Sequence, residues 1–218
     1  MSAFAYCSAL TSAILPSCIS ISSYAFAYCP ALTTISLPVC TTIGTHAFLY
    51  CSRLRTASLP VCTSIRASTF NSCTALSTVI LPLCSSIATS AFVNDASLAY
   101  VYAPTLRSAY SGAFQKLYGL DTVILSSCSV IGSACFSSCR KLLSLYLLGS
   151  SVCQLSSINA FYSTPISTYT TSTGGVHGSI FVPVSLYATY IASTNWVTYS
   201  ARFVSLTDAE IAQILIYG

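Results

Sequence analysis

The stretch Ala25-Phe-Ala-Tyr-Cys-Pro-Ala-Leu-Thr-Thr-Ile-Ser-Leu-Pro-Val-Cys-Thr-Thr-Ile-Gly-Thr-His46 decides the fold, because its apolar skeleton returns at a fixed interval of 22 residues. Phenylalanine recurs at Phe4, Phe26, Phe48, Phe70, Phe92, Phe114 and Phe136, and leucine at Leu10, Leu32, Leu54, Leu76, Leu98, Leu120 and Leu142. Neither column misses a turn. Within each unit the residues Leu-x-x-apolar-x-Leu put their first, fourth and sixth members on one side, as in Leu54, Ala57 and Leu59 or Leu76, Val79 and Leu81. That spacing predicts a short strand with period two toward its C-terminal end. Proline follows at Pro16, Pro38, Pro60, Pro82 and Pro104 and, having no N–H to give to a ladder, ends the strand. A second apolar pair, Cys40 and Ile43, leads into Ala47-Phe48, whose ring fills the wide end of the coil. One such unit cannot bury its apolar face alone, so neighbours must stack at about the inter-strand spacing of roughly 4.8 Å.

A period in this range with a Leu-x-x-Ile-x-Leu core is the signature of leucine-rich repeat architectures. The prediction is a leucine-rich repeat solenoid over residues 1–148, seven 22-residue coils with a parallel strand per coil. Residues 149–218 are expected to form an irregular last repeat and a mixed α/β C-terminal cap with short helices, because the spacing from Phe136 to Phe161 stretches to 25. Thr170-Thr-Ser-Thr-Gly-Gly-Val-His-Gly178 reads as a flexible loop by composition, and no Gly-Lys-Ser/Thr follows to make it a phosphate loop. Ser179-Ile-Phe-Val-Pro183 reads as a last strand, with helical stretches around Leu186–Ile191 and Trp196–Phe203. Thr207-Asp-Ala-Glu210 ahead of Ile211, Ile214 and Leu215 is a capping-box pattern opening a short amphipathic helix whose apolar side could close the last coil.

Composition narrows the function classes. Only 6% of the 218 residues are charged, against about 25% in an average soluble domain, so Ser and Thr hydroxyls must cover most of the surface. The net charge of +4 comes from eight scattered Lys and Arg without a basic run, which argues against a nucleic-acid partner. Hydroxyl residues interrupt every apolar run well short of the roughly 18 residues a spanning helix needs, so no membrane insertion is expected. Ten of the twelve cysteines lie at multiples of eleven residues, half the repeat: Cys7, Cys18, Cys29, Cys40, Cys51, Cys62, Cys73, Cys84, Cys128 and Cys139. They form two columns along the core, expected to serve as small buried apolar filler. Disulfides are the second reading, weakened because stacked side chains point the same way, and Asp95, Leu106, Leu117 and Ser150 interrupt the register. Cys135 and Cys139 are too loosely spaced and too far in sequence from any histidine to suggest zinc, and neither metal nor cofactor is expected.

The outward strand positions of the first four repeats are hydroxyl-rich: Thr11, Ser12, Thr33, Thr34, Ser36, Thr56, Ser58, Ser77 and Thr78, with Arg55 among them. In repeats five to seven this face changes to Tyr100, Tyr102, Ile124 and Tyr146 beside Asp121, and tyrosine is enriched where proteins meet partners. These five residues are the candidate partner contact, against ordinary cross-strand stacking as the plainer alternative. Phe4, Cys7 and Leu10 begin in register with no polar lid, making them a candidate assembly end, covered by a partner, by another copy of the chain, or by further chain upstream. No charged and then apolar leader precedes them, so no signal peptide is visible. His46 or His177 with Asp95 or Asp121 could be combined with one of many serines on paper, but no motif spacing supports a catalytic set and no enzyme is expected. An ice-binding face built on the Ser and Thr columns is weakened by the arginine and tyrosine interruptions.

The repeat Ala-Phe-x-x-Cys-x-x-Leu-x-x-Ile-x-Leu-Pro-x-Cys-Thr-x-Ile-Gly of Ala25 to Gly44 resembles the BspA-like leucine-rich repeat proteins, closely over residues 3–148. Ile180-Phe-Val-Pro183, Leu186, Tyr190 and Asn195-Trp196 are similar to a closing segment that follows such repeats in proteins of gut bacteria and their phages. The resemblance implies non-catalytic surface proteins that adhere to host cells or matrix, and in phages virion proteins such as fibres or decorations. It carries no catalytic residues. The expected role is thus a binding or adhesion solenoid on a virion or bacterial cell surface, contacting protein or glycan through its sheet face. The alternative is a structural virion or fibre protein that self-associates, or joins other virion proteins, through its N-terminal coil.

Overall fold

The computed structural model describes residues 3–167 and 177–217. The coils stack in register, and each carries two strands where the sequence pattern predicted one. The first set is the expected one: Ser12–Ile14, Thr34–Ser36, Thr56–Ser58, Thr78–Ile80, Tyr100–Tyr102, Thr122–Leu125 and Ser144–Leu147. The second set consists of two-residue strands, Ser20–Ile21, Thr42–Ile43, Ser64–Ile65, Ser86–Ile87, Ser108–Ala109, Val130–Ile131 and Gln154–Leu155. These seven form one continuous parallel sheet. They arise from the apolar pair that includes Cys40 and Ile43, where only one residue per strand faces inward, too few for an alternation to be visible in the sequence.

The predicted inward positions are buried throughout, Leu54, Ala57, Leu59, Leu76, Val79 and Leu81 among them. The first five strands of this set end two residues before a proline, and in three of them the residue between donates to the next coil, Leu15 N to Ser36 O at 3.0 Å, Leu59 N to Ile80 O at 3.0 Å and Leu81 N to Tyr102 O at 2.8 Å. Described hydroxyls on the outer surface donate to backbone carbonyls of the neighbouring coil. Thr33 Oγ1 donates to Thr11 O at 3.0 Å and Ser77 Oγ to Arg55 O at 3.2 Å, so each ties its coil to the backbone of the one before.

The third side of every coil is a turn around its phenylalanine, preceded by alanine in most coils, by Thr69 in one and by Cys135 in another. Phe26 N donates to Ala47 O, Phe48 N to Thr69 O and Phe70 N to Ala91 O, a further ladder running coil to coil. It stacks the phenylalanines into one column from Phe4 to Phe161, ring centroids 5.2–5.8 Å apart and planes within 10° of parallel. Near-parallel rings at these centroid distances lie within the range that aromatic pairs favour. The twelve cysteines are free in this structure. Cys51 Sγ donates to Phe26 O at 3.1 Å and Cys73 Sγ to Phe48 O at 3.1 Å, while in the other column Cys40 donates to Thr42 O and Cys62 to Ser64 O at 3.2 Å. A small apolar atom with a weak donor fills each coil without leaving its neighbouring carbonyl bare.

Beyond Leu148 the strands Ser179–Pro183 and Phe203–Leu206 extend the first sheet in parallel, pairing onward from Ser144–Leu147. The expected helices are present as α1 (Val184–Ala192), a 3-10 helix (Trp196–Arg202) and α2 (Asp208–Tyr217). Tyr190, Trp196 and Tyr199 are buried and close the phenylalanine column, with Trp196 6.0 Å from Phe161 and Tyr199 edge-on to it at 5.4 Å. The loop expected at Thr170–Gly178 lies, up to Val176, outside the described residues. Among the described residues no helix is long and apolar enough to cross a membrane.

Candidate functional site on the outer sheet

The outer sheet is not continuous. Its strands pair in three groups, Ser12–Ile14 with Thr34–Ser36, Thr56–Ser58 through Tyr100–Tyr102, and Thr122–Leu125 onward, and the second break, between Tyr100–Tyr102 and Thr122–Leu125, forms a seam. At this seam both cysteine columns carry leucine, Leu106 and Leu117, each fully buried. The phenylalanine column is also widest here, 5.8 Å from Phe92 to Phe114.

A cavity of about 280 Å³ opens on the seam, lined by Tyr100, Tyr102, Asp121 and Ile124 together with Ile214 and Leu215 of α2. Tyr100 is 47% and Tyr102 43% exposed, and among the described residues neither ring stacks on another aromatic. Asp121 is exposed; its backbone carbonyl receives Leu143 N at 2.8 Å and Ser144 N at 3.1 Å, holding the residue at the mouth. Four of the five candidate contact residues therefore line one concave surface. Tyr146 does not: it is half-buried and stacks on Phe181 at 4.4 Å, the ordinary cross-strand arrangement.

The wall supplied by α2 was not assigned to this surface from the sequence, which suggested only that the helix could close the last coil. α2 follows Phe203–Leu206, the last strand of the sheet, and reaches back across the outer face to the seam. Its start is fixed by the capping box: Thr207 N and Oγ1 donate to Glu210 Oε2 at 2.8 and 2.7 Å, and Glu210 N donates to Thr207 Oγ1 at 3.4 Å. Those bonds hold the Glu210 carboxyl below its ordinary pKa. A signal for the destination existed, since Ile124 and the two tyrosines leave an apolar surface open at strand positions that are otherwise hydroxylated.

A model of BspA-type leucine-rich repeats matches six copies over residues 1–120 and 63–177. The chain belongs to the BspA-type leucine-rich repeat family. It is similar to a T. pallidum leucine-rich repeat protein of known structure, 31% identical with a TM-score of 0.60, over 65% of this chain and 69% of that one. A leucine-rich repeat protein from Bacteroides ovatus shares the fold at 22% identity and a TM-score of 0.57, over 83% of this BspA-type chain and 51% of its own length. The pneumococcal vaccine antigen PcpA does so at 14% identity and a TM-score of 0.50, over 91% and 67%. No curated protein sequence matches significantly.

The other candidate residues are dispersed in this BspA-type solenoid. His46 stacks flat on Tyr24 at 4.6 Å, Asp95 is buried in a cysteine column, and His177 is exposed near the start of Ser179–Pro183. Cys139 Sγ donates to Phe114 O at 3.0 Å, continuing its column. Phe4, Cys7 and Leu10 sit together on the first coil, where Phe4 is 45% exposed and stacks by one face on Phe26.

Proposed function

We propose that this chain is a non-catalytic binding solenoid of a bacterial cell surface or virion, which contacts protein or glycan through the seam on its outer sheet. The observation that carries the reading is the pair of half-exposed rings, Tyr100 and Tyr102, at the rim of an apolar cavity that also presents Asp121. Aromatic faces with a nearby acceptor suit both a protein hot spot and the C–H faces and hydroxyls of a sugar. Repeats of this family act as scaffolds for binding, and the BspA-type match supports that general role. The test is retention of the purified chain on panels of immobilised glycans and matrix proteins, and on intact host cells, with Tyr100→Ser/Tyr102→Ser beside it. The double variant should lose at least ten-fold in affinity at an unchanged melting temperature; equal retention would end the assignment of this face.

Assembly through the first coil is the second reading, favoured by exposed apolar residues there: Phe4, Ile14 at 68% and Ile19 at 65%. Phe4, Cys7 and Leu10 would then meet a second copy or a virion protein. Light scattering over a concentration series separates the readings, because a monomer at all concentrations leaves self-association without support.

A further inference from the structure

We propose that Cys128 and Cys153 form a disulfide that clamps the C-terminal cap onto the last coil. Their sulfurs are 3.0 Å apart, with Cys153 Sγ donating to Cys128 Sγ, whereas Cys18, Cys40, Cys62 and Cys84 of the same column each donate to a carbonyl two residues ahead. The register explains the difference. Strand partners in this sheet are 22 residues apart along most of the column, as in Ser20↔Thr42 and Ser86↔Ser108, and the cysteines two residues before each strand are stacked in parallel. At the last coil the partners are 24 apart, Val130↔Gln154 and Ile131↔Leu155, while Cys153 follows Cys128 by 25. Cys153 thus sits one residue before its strand and Cys128 two before, and this single-residue slip turns one thiol toward the other. Adjacent parallel strands place α-carbons within the separation a disulfide spans, and the sulfurs need to close by only about 1 Å to reach bonding distance.

The location gives the bridge a purpose. Three side chains of the cap bind the backbone around Cys153: its N–H donates to Tyr190 Oη at 2.9 Å, its carbonyl accepts from Trp196 Nε1 at 2.6 Å, and Asn195 Nδ2 donates to Leu155 O at 2.7 Å. Cys153 is therefore the attachment point of the cap, and a covalent link to Cys128 ties that point to the preceding coil. In the reaction both S–H bonds break and one S–S bond forms; the two hydrogens and two electrons pass to a low-molecular-weight disulfide such as oxidised glutathione, which leaves as two thiols. Exchange proceeds through a mixed disulfide on one cysteine, displaced by the thiolate of the other. The hydrogen bond to Cys128, together with burial, pushes the Cys153 thiol up, so its thiolate is scarce in the folded chain and the bridge closes as the last coil forms.

The test refolds reduced, denatured full-length chain in an oxidised and reduced glutathione buffer, alkylates free thiols under denaturing conditions and reads the intact mass and the linked peptides. Two of the twelve cysteines should escape alkylation, in a single cross-link from Cys128 to Cys153. Cys153→Ser should show every remaining cysteine alkylated, and Cys135→Ser should keep the cross-link. Twelve alkylated cysteines in the wild type, or a cross-link from Cys128 to Cys135 or Cys139, would overturn the assignment. Trp196, the one tryptophan of the chain, reports the clamp itself. Its fluorescence midpoint in thermal unfolding should drop by roughly 5–10 °C when the bridged chain is reduced, and an unchanged midpoint would remove the clamping role.

Discussion

Asp95 stands where Cys73 and Cys139 stand in other coils, and it is fully buried. Its Oδ1 accepts Cys73 N at 2.7 Å, while Oδ2 is buried without a partner. Burial raises the carboxyl well above its ordinary pKa, only partly offset by the Cys73 hydrogen bond. The sign follows: as pH rises past the ordinary aspartate value the unfolded chain releases this proton and the folded one keeps it, so Asp95 lowers stability toward neutral pH. Asp95→Cys should raise the melting temperature at pH 7 and change it much less at pH 4. An equal shift at both would mean that packing, not the proton, sets its cost. A second residue-scale test concerns the turn. Left-handed residues flank the phenylalanine turn in coil after coil, Tyr24 and Tyr28, His46 and Tyr50, Ser68 and Ser72, and one of these places is taken by Gly112 at φ 62°. Ala134, at φ 53°, bears the strain with no side chain that stacks or donates. Ala134→Gly should therefore stabilise by about 0.5–1 kcal/mol in urea unfolding, relief of the left-handed strain exceeding the added chain entropy. Tyr24→Gly should not, because it also removes the ring that stacks on His46.

The elements differ in what holds them. Every strand is paired in parallel with at least one neighbour, whereas α2 rests on its capping box and on Ile214 and Leu215 against the seam. Thr207→Ala/Glu210→Ala should fray α2, lowering helical circular dichroism and raising the fluorescence of an apolar dye bound at the sheet face, with the solenoid's melting temperature unmoved. Since Glu210 is held below its ordinary pKa, its contribution is present above that value and fades as pH falls through the lowered one, so the wild type should move toward the variant in acid. Unchanged helicity would place the helix's anchor elsewhere. This division also accounts for what the sequence made legible. The phenylalanine and leucine columns encode coil, strand and stacking because they repeat, and Tyr100, Tyr102, Asp121 and Ile124 stood out as breaks in a hydroxylated pattern. The second strand of each coil was not legible, since Ile43 or Ile65 alone shows no alternation. Nor was the seam, since the break between Tyr100–Tyr102 and Thr122–Leu125 leaves the 22-residue phenylalanine and leucine columns intact. The meeting of Ile214 with Tyr100 spans more than a hundred residues and depends on the path of α2, which no local pattern fixes.

At the scale of the whole molecule, each coil touches only its neighbours, so stability is a chain of interface terms rather than one shared core. The phenylalanine column makes this testable, because its members are chemically alike and differ in position. Phe70 is fully buried between Phe48 at 5.3 Å and Phe92 at 5.4 Å, whereas Phe4 is 45% exposed and has one stacking partner. Phe70→Ala removes two interfaces and leaves a cavity no side chain can reach, at a cost of about 3–5 kcal/mol. Phe4→Ala removes one interface from a ring already half in water and should cost a fraction of that. The position matters in a second way. Loss at Phe70 divides the column, so the first three coils should open ahead of the rest: their amides should exchange hydrogen before the fluorescence of Trp196 reports any change in the cap. Loss at Phe4 leaves the remaining column joined and should keep one transition. If instead both variants melted in a single step with equal loss, coupling would extend beyond nearest neighbours, and the seam at Leu106 and Leu117, where the strands already part, would be the place to look for what carries it.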